Sequence, residues 1–415
     1  MLKLESIRIR IRGDRQTRLL VVALLSLYSI YLLQMMSPLR LSPDAVVYLS
    51  MASSAAEGKG FLYEGQVTHF PIGYPLIIIA LERLGAGASW AFIGLNCLFL
   101  ALGLIASYAV LREGLGLGRR LTVSLCCMTL LSSVVITHAV MPLSDVIFFG
   151  LSAPCTVLLL RARQQRGTKG WLMVAAATLL VGACVTVRSV GIALAPALMF
   201  ACLPAGTSYK SLRAAALARR KRSVVLLTVG CCALVAGGAL LARTEYVRGA
   251  FNAYTDGGVA TAVTILNYRA ADWGELVANM RIAALESPLR LGFKFAGLIA
   301  LCAFLYSLYR RRHRLGVVEI YVLTFTALLL AWPYTDGRLW LPILPLLMGL
   351  LALSVREVMW RVPWLRAAVG AYLIWFIFAG SVALWRSTQV SLSGHGRGNL
   401  DASALSVVKR FSSRQ

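Results

Sequence analysis

The chain is assembled from apolar blocks of about 18–22 residues separated by short charged loops, the length a helix needs to cross a bilayer core. Within hydrocarbon each backbone N–H and C=O has to find its partner inside the protein, which leaves helices or a closed barrel. The blocks lack the alternating pattern of a barrel strand, so they read as helices. Eleven spans are expected: 19–36, 91–111, 121–138, 143–160, 171–187, 189–204, 223–242, 291–309, 316–333, 339–354 and 367–385. "PLIIIALERL" (75–84) is apolar for only half a span before Glu82 and Arg83 end it, so it reads as re-entrant or interfacial. The chain is 59% hydrophobic, against about 45–50% in soluble domains. The expected fold is an all-α polytopic membrane protein with about eleven transmembrane helices and amphipathic juxtamembrane helices in its first outward loop.

The formal net charge of +25 raises the question of nucleic acid. The basic residues, however, fall in short loops between apolar blocks, where the positive-inside rule accounts for them. With the N-terminus in the cytoplasm, loops 1–18, 112–120, 161–170, 205–222, 310–315 and 355–366 carry 26 of the 42 Lys and Arg. The outward segments carry 12 of the 17 acids. Counting 75–84 as a crossing would scramble this sorting. Nucleic acid is therefore excluded as a partner, and membrane lipids are expected. Residues 1–385 read as one transmembrane unit with long outward loops at 37–90 and 243–290, followed by a short outward tail at 386–415. Basic residues precede the first block and no small-residue cleavage site follows it, so it reads as a retained helix. The nine cysteines all lie in apolar blocks without zinc-ligand spacing and read as small buried hydrophobes.

Several residues at the outward ends of spans carry chemistry. In "SPDAVVYLSMASSAAEGKG" (42–60) Ser42 can cap, Pro43 suits the first helical position and Gly58 can end the helix. Residues 43–57 thus read as a helix on the membrane surface. Asp44 and Tyr48 share one face of it. Asp44 reads either as a first-turn acid favoured by the helix dipole or as a chemical group. "VTHFPIGYP" (67–75) forces a bent path that places His69 and Tyr74 where the chain re-enters the lipid. Asp145 heads the fourth span in "VMPLSDVIFF" (140–149), where it either caps the helix or marks a site. Arg188 stands in a turn between two otherwise uncharged spans and either snorkels to headgroups or holds a phosphate. In "WPYTDGRLWLPILPLL" (332–347) Asp336 and Arg338 flank a glycine, as a local ion pair or as an acid beside a phosphate ligand. Asp44, His69, Tyr74, Asp145, Arg188, Asp336 and Arg338 all fall on one side of the membrane. Acids together with arginines suit a reaction with an anionic leaving group: a carboxylate takes a proton and guanidiniums stabilise the departing charge.

The stretches "SPDAVVYLSMA", "HFPIGYPLIIIALERLGAG", "MPLSDVIFF" and "DGRLWLPILPLL" occur in an order that resembles the GT-C glycosyltransferases. These integral-membrane enzymes use polyprenyl-phosphate sugars, and they include the protein O-mannosyltransferases and lipid A aminoarabinose transferases. The resemblance implies transfer of a hexosyl or pentosyl group from a polyprenyl-phosphate sugar to a glycan, lipid or protein acceptor at the outer face. It implies catalytic roles for Asp44 and Asp145, and phosphate-binding roles for Arg338 and, with it, Arg188. Tyr48, His69, Tyr74 and Asp336 are then substrate-binding candidates. The chain departs from the family where Ile72 follows Pro71 in place of a second proline, where Ala45 follows Asp44 in place of a second acid, and in the short tail after 385. Those departures leave the sugar and acceptor open. A single acid at Asp44, with Asp145 distant in sequence, fits a metal-free or a divalent-metal reaction alike. The setting the resemblance implies is a bacterial inner membrane.

A lipid-linked glycan transporter would also need arginines for phosphate, and a non-catalytic partner in envelope assembly is a third reading. A transporter needs polar or charged groups along a path between the two faces, whereas spans 91–111, 121–138 and 223–242 hold no Asp, Glu, Lys or Arg. The topology has its own test. A cysteine placed in 211–222 is expected to react only with reagents that reach the cytoplasm; labelling by an impermeant reagent from outside would overturn the assigned orientation.

Overall fold

The computed structural model describes residues 15–36, 40–68, 70–86, 89–165, 167–203, 245–332, 334–359 and 362–393. Its helices are α1 (Arg15–Leu33), α2 (Pro43–Ala56), α3 (Gly73–Arg83), α4 (Ser89–Ala109), α5 (Arg119–Leu130), α6 (Ser133–His138) and α7 (Ser144–Gln164). After these come α8 (Thr168–Val187), α9 (Ala195–Cys202), α10 (Glu245–Ala278), α11 (Ser287–Arg310), α12 (Val317–Leu330), α13 (Leu344–Met359) and α14 (Pro363–Leu392). Among the described residues seven helical stretches are long and apolar enough to cross a membrane, in α1, α4, α7, α8, α11, 337–356 and α14. The segments 189–202 and 317–330 are apolar but shorter. The protein is a multi-pass membrane protein.

Three expectations need adjustment. The stretch 121–138 is not one span, because α5 stops at Leu130 and α6 restarts at Ser133. The loop expected to be the first outward one holds a two-stranded hairpin as well as helices, pairing Leu62 with Val67 and Tyr63 with Gln66. Glu64 and Gly65 take the positive φ values (50° and 79°) that a tight hairpin turn requires. Cys302 is exposed and Cys202 half-buried, while Cys97, Cys126, Cys127, Cys155 and Cys184 are buried as expected. The expected span 223–242, Cys231, Cys232 and most of the tail lie outside the described residues.

The surface elements form as their residues dictate. Ser42 Oγ accepts from Ala45 N at 3.3 Å, Pro43 opens α2, and Gly58 takes φ +78° just beyond its end. The half-span 75–84 is a short helix, α3, of 11 residues. Tyr48, Leu49 and Ala52 of α2 pack with Tyr74 and Ile78 of α3 in one buried cluster. A Cβ on Gly73 would lie 2.6 Å from the Thr186 backbone, so the start of α3 rests directly on the end of α8. The most enclosed of the spans is α7, which packs between α4 and α8.

The break at Leu131–Ser132 opens backbone groups inside the bundle, where they need partners. Asn279 supplies them. Its Oδ1 accepts from Ser133 N at 2.7 Å, and its Nδ2 donates to Leu131 O (2.9 Å) and Phe376 O (3.0 Å). It sits just past α10 at φ 55°, a left-handed conformation that asparagine tolerates. A Cβ on Gly380 would lie 2.1 Å from Leu131 O, so α14 lies flush against the break. Losing these bonds leaves buried groups unpaired at about 1–3 kcal/mol each. Asn279→Ala is therefore expected to lower the melting temperature of the detergent-purified protein by several degrees; an unchanged melt would show that the break is held by something else.

Candidate active site

Two carboxylates arrive at the cavity by the same local route, each in the first turn of a helix. Asp44 heads α2 and Asp145 heads α7, positions that the helix dipole favours for an acid. The turn carrying Asp145 is pinned by a buried asparagine within α4: Asn96 Nδ2 donates to Ala139 O (3.1 Å) and Met141 O (2.7 Å). Arg188 lies in extended backbone between α8 and the short helix Ser189–Leu194, its own N–H bonded to Cys184 O at 2.8 Å. Arg338 lies in a 3-10 turn, Gly337–Ile343, that Asp336 caps by accepting from Arg338 N at 3.0 Å.

The four charged groups pair across the fold. Arg188 Nη1 donates to Asp145 Oδ1. Arg338 Nη2 donates to Asp44 Oδ2, and its Nε faces Asp336 Oδ2 at 2.5 Å. The Asp145 side chain is 1% exposed, Asp44 31% and Asp336 34%. The first pair is thus sealed and the second opens onto solvent. Between them Tyr48 Oη lies 3.1 Å from Ser144 Oγ. The Tyr48 ring meets Phe70 and Tyr74 edge-on, at centroid distances of 5.2 and 5.0 Å. Burial pushes the Tyr48 hydroxyl above its ordinary value, outweighing the nearby Arg188 and the Ser144 bond. Tyr48 is therefore a neutral phenol able to donate or accept.

Asp44, Tyr48, Asp145, Arg188, Asp336 and Arg338 line one cavity of about 430 Å³. Tyr74 is 1% exposed and stands behind Tyr48 rather than on the wall. His69 lies outside the described residues, although Phe70 and Pro71 beside it are on the wall. The arginines meet carboxylates and not open headgroup space, which the sequence left undecided. Three wall residues, Trp332, Tyr334 and Thr335, escaped sequence reasoning despite lying in the quoted "WPYTDGR" (332–338). Asn96 escaped it too, although a lone amide within an apolar span is a signal in itself. Arg269 and Asp272 gave none, because charges in an expected outward loop read as solvated.

No three His, Cys, Asp or Glu side chains converge on a metal-sized site among the described residues. Asp44 and Asp145 are each engaged by a guanidinium, so these residues do not make a metal centre as they stand.

No protein-family model matches the sequence, and no curated protein matches it. The fold does match solved structures. ArnT from Cupriavidus metallidurans in its apo state aligns with a TM-score of 0.51 at 13% identity, covering 92% of this chain and 77% of that one. The oligosaccharyltransferase of Archaeoglobus fulgidus, crystallised with zinc and sulfate, aligns with a TM-score of 0.51 at 14% identity. That alignment covers 88% of this chain and 53% of the other, so this chain spans about half the length of that enzyme. At such identities the likeness is one of fold alone: the chain shares the fold of these two structures.

Proposed function

We propose that the protein is a glycosyltransferase that moves a sugar from a polyprenyl-phosphate donor to an acceptor at the outer face of the membrane, with inversion at the anomeric carbon. The observation that carries this reading is the pair of carboxylate–guanidinium contacts, Asp44–Arg338 and Asp145–Arg188, facing one cavity within a GT-C fold. The names of the two structural neighbours, ArnT and an oligosaccharyltransferase, agree with it. The sorting of Lys and Arg supports a cytoplasmic N-terminus and a cavity open to the exterior of a bacterial inner membrane.

In this reading Arg338 has two successive partners. Without donor it is the counter-ion of Asp44. A donor phosphate presents oxygens that match a guanidinium bidentately and takes Arg338, while Asp336 keeps its hold on Nε. Asp44 is thereby released to act as base. The acceptor hydroxyl loses its proton to Asp44 and its oxygen forms a bond to the anomeric carbon. The bond from that carbon to the phosphate oxygen breaks, and the lipid phosphate leaves with the electron pair. Arg338 and Arg188 stabilise the charge that builds on it. Asp145 keeps Arg188 aimed at the cavity. A base positioned at the head of a helix is held where a proton transfer requires it.

Asp44→Asn is expected to cut transfer from a polyprenyl-phosphate sugar by about 100-fold or more, the scale of a lost general base. Its affinity for undecaprenyl phosphate should be unchanged or tighter, because a competitor for Arg338 is gone. Arg338→Gln should weaken that affinity. Full transfer by Asp44→Asn would remove Asp44 from the chemistry, and a wild-type protein that binds no lipid phosphate would sink the reading.

A further inference from the structure

Helix α10 carries two ionic side chains that are sealed from solvent and do not line the cavity: Arg269 and Asp272 are each 1% exposed. They pair at i, i+3, with Arg269 Nη1 3.0 Å from Asp272 Oδ2. Burying an ion pair costs several kcal/mol per ion unless further hydrogen bonds complete it. Three such bonds run to one place. Arg269 Nη2 donates to Trp332 O at 3.3 Å and to Tyr334 O, and Thr335 Oγ1 donates to Asp272 Oδ1 at 2.7 Å. The recipients belong to the irregular segment between α12 and the turn that carries Arg338. That segment has no helix of its own to satisfy these carbonyls.

The far side of the same segment is a wall of the cavity, formed by Trp332, Tyr334, Thr335 and Asp336. Helix α10 is itself rigidly seated. A Cβ on Gly297 of α11 would lie 2.2 Å from Gly274 N, so the two helix backbones touch. Trp273 packs on Phe304 and Trp340 at centroid distances of 5.4 and 5.2 Å. A strut therefore runs from α11 through α10 to the wall. Trp332 and Tyr334 give that wall aromatic faces, the surface an apolar sugar face packs on, whereas the phosphate-binding guanidiniums approach from other elements.

We propose that Arg269 and Asp272 are positioning residues for recognition of the donor's sugar: they hold Trp332, Tyr334 and Thr335 so that the two aromatic side chains meet the sugar, without contributing to the grip on phosphate. This deepens the glycosyltransferase reading and rests on it. Thr335 is the narrowest handle, since Thr335→Val removes one hydroxyl at constant volume, and Asp272→Asn alters the same bond from the side that does not reach the cavity.

The test compares affinities of purified full-length protein for sugar-free undecaprenyl phosphate and for a panel of undecaprenyl-phosphate hexoses and pentoses. Thr335→Val and Asp272→Asn are each expected to weaken the preferred sugar-bearing lipid by about tenfold, the scale of one buried hydrogen bond, and to change affinity for the sugar-free lipid by less than about twofold. The double variant should be no worse than Asp272→Asn alone, because that change already alters the acceptor of the Thr335 bond. Thr335→Ser should restore wild-type affinity. Where transfer is measurable, the loss should appear in KM more than in kcat. Equal loss for both lipids, no loss for either, or no rescue by serine would overturn the positioning role while leaving the glycosyltransferase reading intact. Failure of the wild-type protein to bind either lipid would overturn both. Should Asp272→Asn fail to fold, the valine and serine variants at Thr335 decide the matter alone.

Discussion

A guanidinium at the edge of hydrocarbon cannot stand alone, and neither can a carboxylate beside it. Desolvation would cost either of them several kcal/mol, so the fold brings them together. The candidate site follows from that constraint. Asp145, sealed to 1% exposure, has Arg188 as its partner, and Asp44, still partly open, has Arg338. These pairs join α7 to the end of the next helix, α8, and α2 to the turn before α13, a segment far along the chain. The same constraint brings Arg269 and Asp272 together and sends their remaining hydrogen bonds into the cavity wall. Charge pairing thus closes the cavity and fixes its contents at once.

An ion pair that closes a site also stores a choice. Arg338 lies between Asp44 and Asp336, with one carboxylate on Nη2 and the other on Nε. The Asp336 contact is local, across a two-residue turn in which Asp336 also holds the Arg338 N–H. The Asp44 contact spans the fold and is the more readily exchanged of the two. In the proposed reaction a phosphate entering the cavity meets a guanidinium already aimed at it and displaces the long-range partner. In that reaction, donor binding and the freeing of a base become one event.

Much of this was legible in the sequence, for physical reasons. Block length announced the helices, and the half-length of 75–84 announced α3 as a surface element. Ser42, Pro43 and Gly58 wrote both ends of α2. Charge sorting put the acids and arginines on one side before any geometry existed. What could not be read was pairing, because nothing local says that Arg188 meets Asp145 and not a headgroup. The break at Leu131–Ser132 was equally invisible, since an apolar run looks the same whether continuous or interrupted, and the residue that stabilises the interruption, Asn279, comes from elsewhere in the chain. Arg269 and Asp272 stayed hidden because burial of a charged pair is a tertiary property.

The claim on which the rest turns is the exchange of partners at Arg338. A structure of the protein with undecaprenyl phosphate in a lipid nanodisc tests it most directly. The expected result is a phosphate oxygen within hydrogen-bond distance of the Arg338 guanidinium, with Asp44 withdrawn from it and Asp336 still on Nε. A phosphate bound away from Arg338, with the Asp44–Arg338 pair intact, would contradict the account.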